Sequence, residues 1–147
     1  MVRMGTIFST DDIRGRLDDG VTVEYAWNIG KAFSESLPDQ GTIAIMRSEN
    51  ANQDIVHALI EGMLLQGRDV VDMGVGGHDK VADAQYAASP LGIVLVGHDD
   101  AQAIETIAFY DESGAIIAAD SGLDDIKTSA ESGNFLPAAE KGKLTAV

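Results

Sequence analysis

Apolar residues recur along this chain with two alternating periods. Behind Thr22, a suitable N-cap, Val23, Ala26, Ile29, Gly30, Phe33 and Leu37 follow at helical spacing, and the segment 38–41 ends that helix. A second helix is predicted over 52–66, with Ile55, Leu59 and Met63 on one face, Val56 and Ile60 beside it, and Gly67 suited to follow its last turn. A third, alanine-rich helix is predicted over 79–88, ended by Ser89-Pro90, and a last one over 123–132. Short apolar runs at 42–46, 69–73, 93–96 and 105–110 read as strands, preceded by an extended stretch at 7–13. Turns are predicted at 18–20 and 111–114, and the three glycines of 74–77 mark a loop. The segment 133–147 shows no period and reads as a weakly structured, exposed tail.

Strands alternating with helices predict an α/β domain of three layers, α/β/α, around a mostly parallel mixed sheet. The near-continuous apolar run 93–96 belongs in the middle of such a sheet, covered on both faces. Ligands of these sheets bind outside the carboxyl ends of the strands. The loops at 11–15, 47–52, 74–79 and 97–101 are expected to meet at that edge, and any chemistry belongs there.

Composition narrows the picture. The 147 residues suit one domain, 1–147, with no linker inside it. Hydrophobic residues make up 45% but aromatics only 5%, so Ala, Val, Ile, Leu and Met must build the core. The absence of cysteine excludes disulfides and thiolate sites. A formal net charge of −14 repels phosphate backbones and anionic membranes, so neither nucleic acid nor membrane is an expected partner. A solvated acidic surface and adaptation to high salt both fit that charge. The first ten residues hold no apolar signal core, and no run approaches the roughly 20 apolar residues that span a bilayer. A cytoplasmic location is the expectation.

Several segments then fit one pattern. Phe8-Ser9-Thr10-Asp11-Asp12-Ile13-Arg14-Gly15 resembles the opening F-x-x-Y-D-I-R-G of the α-D-phosphohexomutases, the phosphomannomutase/phosphoglucomutase family. Glu24 to Phe33 resembles that family's first helix, and Ala58-Leu59-Ile60-Glu61-Gly62 through Gly74 resembles its A-L-x-x-G…G-x-x-V-x-D-x-G stretch. Phe109-Tyr110-Asp111-Glu112-Ser113-Gly114 resembles the strand and turn after the family's catalytic loop. The similarity runs in order from about residue 6 to 143. It implies domain I of a four-domain enzyme. In the family, the serine of a T-x-S-H-N-P loop passes a phosphoryl group to a hexose phosphate and takes one back. A D-G-D-x-D loop in the second domain holds Mg²⁺, the third domain reads the sugar, and the fourth binds the substrate phosphate.

Against that pattern, the resemblance places Gly97 where the family has its serine, in Leu95-Val96-Gly97-His98-Asp99-Asp100. Glycine offers no oxygen to phosphorylate, and Asp99 and Asp100 bring repulsive charge. Ala108 falls near the family's lysine, and no lysine occurs between Lys80 and Lys127. No D-G-D-x-D run is present, so no cofactor is expected for this chain itself. Arg14, Arg47 and His98 remain as candidate substrate-binding residues for a hexose phosphate. The alternatives are an ion pair of Arg14 with Asp11 or Asp12, a surface pair for Arg47, and a loop hydrogen bond for His98. His78, Asp79, His98 and Asp99, with Asp11, Asp12 and Asp100 nearby, form a candidate Zn²⁺ or Mn²⁺ set, although their spacing fits no tight motif. Gly74-Val75-Gly76-Gly77 lacks the Gly-Lys-Ser/Thr of a P-loop. Trp27 packs inward or serves a dimer contact.

Two functions follow as expectations. One is a phosphohexomutase-like domain that has lost phosphoryl transfer and serves as a binding, regulatory or structural module. The other is the first domain of a split or truncated phosphohexomutase. Self-association into a homodimer, or pairing with partner mutase domains, fits either.

Overall fold

The computed structural model describes residues 6–7, 9–38 and 41–146. Phe8 of the opening motif, Asp39 and Gln40 of the expected helix stop, and both chain ends lie outside the described residues. The elements run β1 (Thr6–Ile7), β2 (Ile13–Arg16), α1 (Val23–Ser36), β3 (Thr42–Arg47), α2 (Gln53–Leu65), β4 (Asp69–Val75), α3 (Val81–Ala88), β5 (Gly92–Asp99), β6 (Ile104–Asp111), α4 (Leu123–Ser132) and β7 (Leu144–Ala146). Single 3-10 turns at His78–Lys80 and Ala119–Ser121 lead into α3 and α4.

Local chemistry sets the two long helices. The Thr22 hydroxyl accepts from Tyr25 N at 3.1 Å, and Asn52 Oδ1 accepts from Asp54 N at 2.9 Å and Ile55 N at 3.2 Å. Helix α2 closes with Gly67 left-handed at φ +84°. There Gly67 N donates to Leu64 O and Arg68 N to Met63 O, the paired bonds of a Schellman stop. The Arg68 side chain, 7% exposed, donates to Ser34 O and Leu37 O and so satisfies the end of α1, which has no basic residue in its own last turn. The helices α1 and α2 approach closely: a Cβ at Gly30 would stand 2.4 Å from Leu59 O, and one at Gly62 2.2 Å from Trp27 O.

Seven strands form one mixed sheet in the order β1-β2-β6-β5-β3-β4-β7. The parallel part is β5-β3-β4-β7, and β1, β2, β6 and β5 pair antiparallel. Parallel pairing therefore takes three of six junctions, fewer than the alternation of segments implied. The connection from β5 to β6 is too short for a crossover and makes a hairpin instead. Strand alternation divides the core. Ile43, Ile45, Val94, Val96, Ile107 and Phe109 pack against α1, α2 and α4, whereas Ala44, Met46, Ile93, Leu95, Ala108 and Tyr110 face α3.

The structure differs from the sequence reading in several places, and the loops expected at 11–15, 47–52, 74–79 and 97–101 each begin or end inside a strand. The stretch 7–13 is broken, with bends at 10–12 between β1 and β2. The tail 133–147 carries β7, which pairs parallel with the β4 edge. Backbone bonds hold it: Ala138 N and Gly142 N donate to the end of α2, and Val70 N donates to Lys143 O. Gly142 passes so close that a Cβ there would meet Arg68 O at 1.8 Å. Edge addition of this kind leaves no apolar period to read.

Candidate functional site

A cavity of about 340 Å³ opens at the carboxyl ends of β3, β4 and β5. All four segments expected at this edge contribute to it, through Ser48 and Gly76 after β3 and β4 and through Arg14 and Gly97, which lie on β2 and β5 themselves. Register explains the meeting. Arg14 on β2, Thr106 on β6 and Gly97 on β5 lie in one cross-strand row, and the alternation puts that row on the α3 side. The next row is Gly15, Glu105 and His98, on the opposite side of the sheet.

Each charged group here is engaged. Arg14 makes a two-pronged pair with Asp12, Nε to Oδ1 and Nη2 to Oδ2, both at 2.8 Å. Burial is the largest single influence on Asp12 and would raise its pKa. Hydrogen bonds from Arg14 and Ser9, with the charges of Arg14 and His78, outweigh burial and hold the carboxyl below its ordinary value. The Asp12 hydrogen bond in turn raises the Arg14 pKa. Arg47 pairs with Asp72 and does not line the cavity. Both arginines thus stand in ion pairs, the Arg47 pair part-buried and not on the open surface.

His98 donates through Nδ1 to Glu105 Oε2 at 2.8 Å, while its Nε2 lies 3.2 Å from Asp100 Oδ1. Glu105 is 2% exposed, and its Oε1 has no hydrogen-bond partner among the described residues. The Glu105 hydrogen bond is the main reason the His98 pKa is raised; burial opposes it, and the charges of Glu105, Asp100 and Asp99 add to it. Asn50 Nδ2 ties the same corner together, donating to His98 O and Asp100 Oδ2 at 3.1 Å each. Asp99 instead caps its own turn, accepting from Ala101 N and Gln102 N.

Position 97 holds no side chain, and its space is taken. A Cβ there would stand 2.7 Å from Thr106 Oγ1. Ala108 lines the cavity with a methyl group only. His78 meets the edge of the Tyr110 ring, with centroids 5.6 Å apart, and Asp79 is exposed. The structure does not bring His78, Asp79, His98 and Asp99 together as a ligand set: His98 is turned to Glu105 and Asp99 to its own turn. Among the described residues no three His, Cys, Asp or Glu side chains are placed to hold a metal ion.

The model of the phosphoglucomutase/phosphomannomutase alpha/beta/alpha domain I matches residues 5–136. The chain belongs to this family. A phosphomannomutase of Salmonella typhimurium is 28% identical over 139 residues, covering 94% of this chain and 30% of that protein. A Klebsiella pneumoniae phosphomannomutase is 30% identical over 147 residues, covering 95% of this chain and 90% of the relative. A phosphoglucomutase/phosphomannomutase family protein of Burkholderia thailandensis superposes with a TM-score of 0.78 at 22% identity, covering 99% of this chain and 33% of that one. This domain I thus spans under a third of the Salmonella protein's length.

Glu105 and Thr106 are the site residues that motif reading passed over. Glu105 carried a usable signal. It sits on the same parity as Ile107 and Phe109, as His98 does with Val94 and Val96. Two charged groups on the core-facing parity of consecutive strands need each other. No helix among the described residues is long and apolar enough to cross a membrane.

Proposed function

We propose that this phosphohexomutase domain I performs no phosphoryl transfer of its own and serves as a binding, regulatory or structural module. The observation that carries the reading is Gly97. It stands in the row with Arg14 and Thr106 near the carboxyl end of β5, where the resemblance puts the family's serine, and it has no hydroxyl to accept phosphate. The electrostatics agree. A phosphoryl group in flight requires positive charge aimed at it, whereas Arg14, Arg47 and His98 are each held by carboxylates. Ala108, in place of the family's lysine, adds no charge. The purified chain is expected to show no conversion between glucose 1-phosphate and glucose 6-phosphate, or between the mannose pair, in a coupled assay. Measurable turnover contradicts the reading.

The coverage of relatives favours one second reading. The chain matches 30% of the Salmonella phosphomannomutase, so it would serve as the first domain of a split or truncated phosphohexomutase whose other domains come from elsewhere. Mixing the chain with such domains and assaying hexose phosphate isomerisation distinguishes the two: activity that appears only in the mixture supports the second.

A further inference from the structure

We infer that the outer groove between α1 and α2 is a docking surface for a basic protein segment, one that presents an apolar side chain flanked by Lys or Arg. This goes beyond the family activity and lies away from the strand-edge cavity. The two helices touch where Gly30 meets Leu59 and Gly62 meets Trp27. Beside that contact they leave a groove of about 710 Å³. Its floor is apolar, made by Val23, Trp27 and Ala58, with Val23 45% exposed. Its rim is made by Glu24, Asp54 and Glu61 with His57 among them, and no lysine or arginine lines it.

The rim's charges differ from those of the cavity. There, every cation and its carboxylate are paired. Here, Glu24 and Asp54 form no ion pair among the described residues. The chain itself already seats two ammonium groups on this surface. Lys141 Nζ lies 2.8 Å from Glu61 Oε1, and Lys31 Nζ stands 3.2 Å over the Trp27 ring. A partly exposed apolar floor with the carboxylates of Glu24 and Asp54 beside it is complementary to a basic segment. It repels an acidic one, and the chain's net charge of −14 reinforces that choice at longer range.

Trp27 is the chain's single tryptophan, so its emission reports directly on the groove. The intact chain is titrated with two short peptides that share an apolar centre, one flanked by Lys and one by Glu. The account expects a saturable change in Trp27 emission with the Lys peptide alone, weakened by added salt. The double variant Glu24→Gln/Asp54→Asn, checked as folded by circular dichroism, is expected to bind roughly fivefold to tenfold more weakly. Glu112→Gln, on the distant turn after β6, is expected to bind as the parent does. Equal responses to the two peptides, or full affinity in the double variant, overturn the proposal. So does self-association in sedimentation that alters Trp27 emission without peptide, because a second copy is then the occupant.

Discussion

At the scale of single residues, the His98–Glu105 pair is the feature with the largest consequence. A raised folded-state pKa for His98 means that the pair's stabilisation is present in full below the unfolded value of about 6.5 and is lost as pH rises through the folded value. The melting temperature of the parent chain is therefore expected to fall as pH climbs from about 6 towards 9, and Glu105→Gln is expected to flatten that slope. A scan of melting temperature against pH for both proteins checks it. His98→Ala leaves a buried carboxylate without its donor and is expected to cost about 3 kcal/mol in denaturant unfolding at pH 6. Asp12 has the opposite sign: its lowered pKa gives stability above the ordinary value of about 3.9, lost as pH falls through the folded value. The pairing of Arg14 with Asp12 was legible in the sequence, two residues apart in one motif. The partners of Arg47 and His98 were not, because each lies on a neighbouring strand and depends on register.

At the scale of elements, the α1–α2 contact is set by two glycines. Gly30→Ala drives a methyl group against the Leu59 carbonyl and is expected to cost about 2 kcal/mol, read from the midpoint of urea unfolding. An equal midpoint in the variant would mean that the helices slide apart at little cost. Arg68 joins three elements by capping α1 from the start of β4, so Arg68→Met is expected to destabilise by about 2 kcal/mol despite keeping an apolar stem. The helices were legible because propensity, caps and period agree: Thr22, Asn52 and Gly67 act as their residue types suggest. The strand β7 was not, because all three residues of Leu144–Ala146 are on the exposed side and the strand is held by backbone bonds that any sequence of similar shape can make.

At the scale of the whole molecule, scaffold and edge have separate fates. The layered α/β/α fold is that of the family. At that edge the polar groups neutralise one another, and position 97 offers no oxygen. The proposed absence of phosphoryl transfer is best tested on the acceptor itself. The folded chain is exposed to a hexose bisphosphate as phosphoryl donor, and its intact mass is then measured. An unchanged mass is expected, with the parent and Gly97→Ala alike. A stable gain of one phosphoryl group by the parent chain, mapped to Thr106, Ser48 or any other residue lining the cavity, would contradict it.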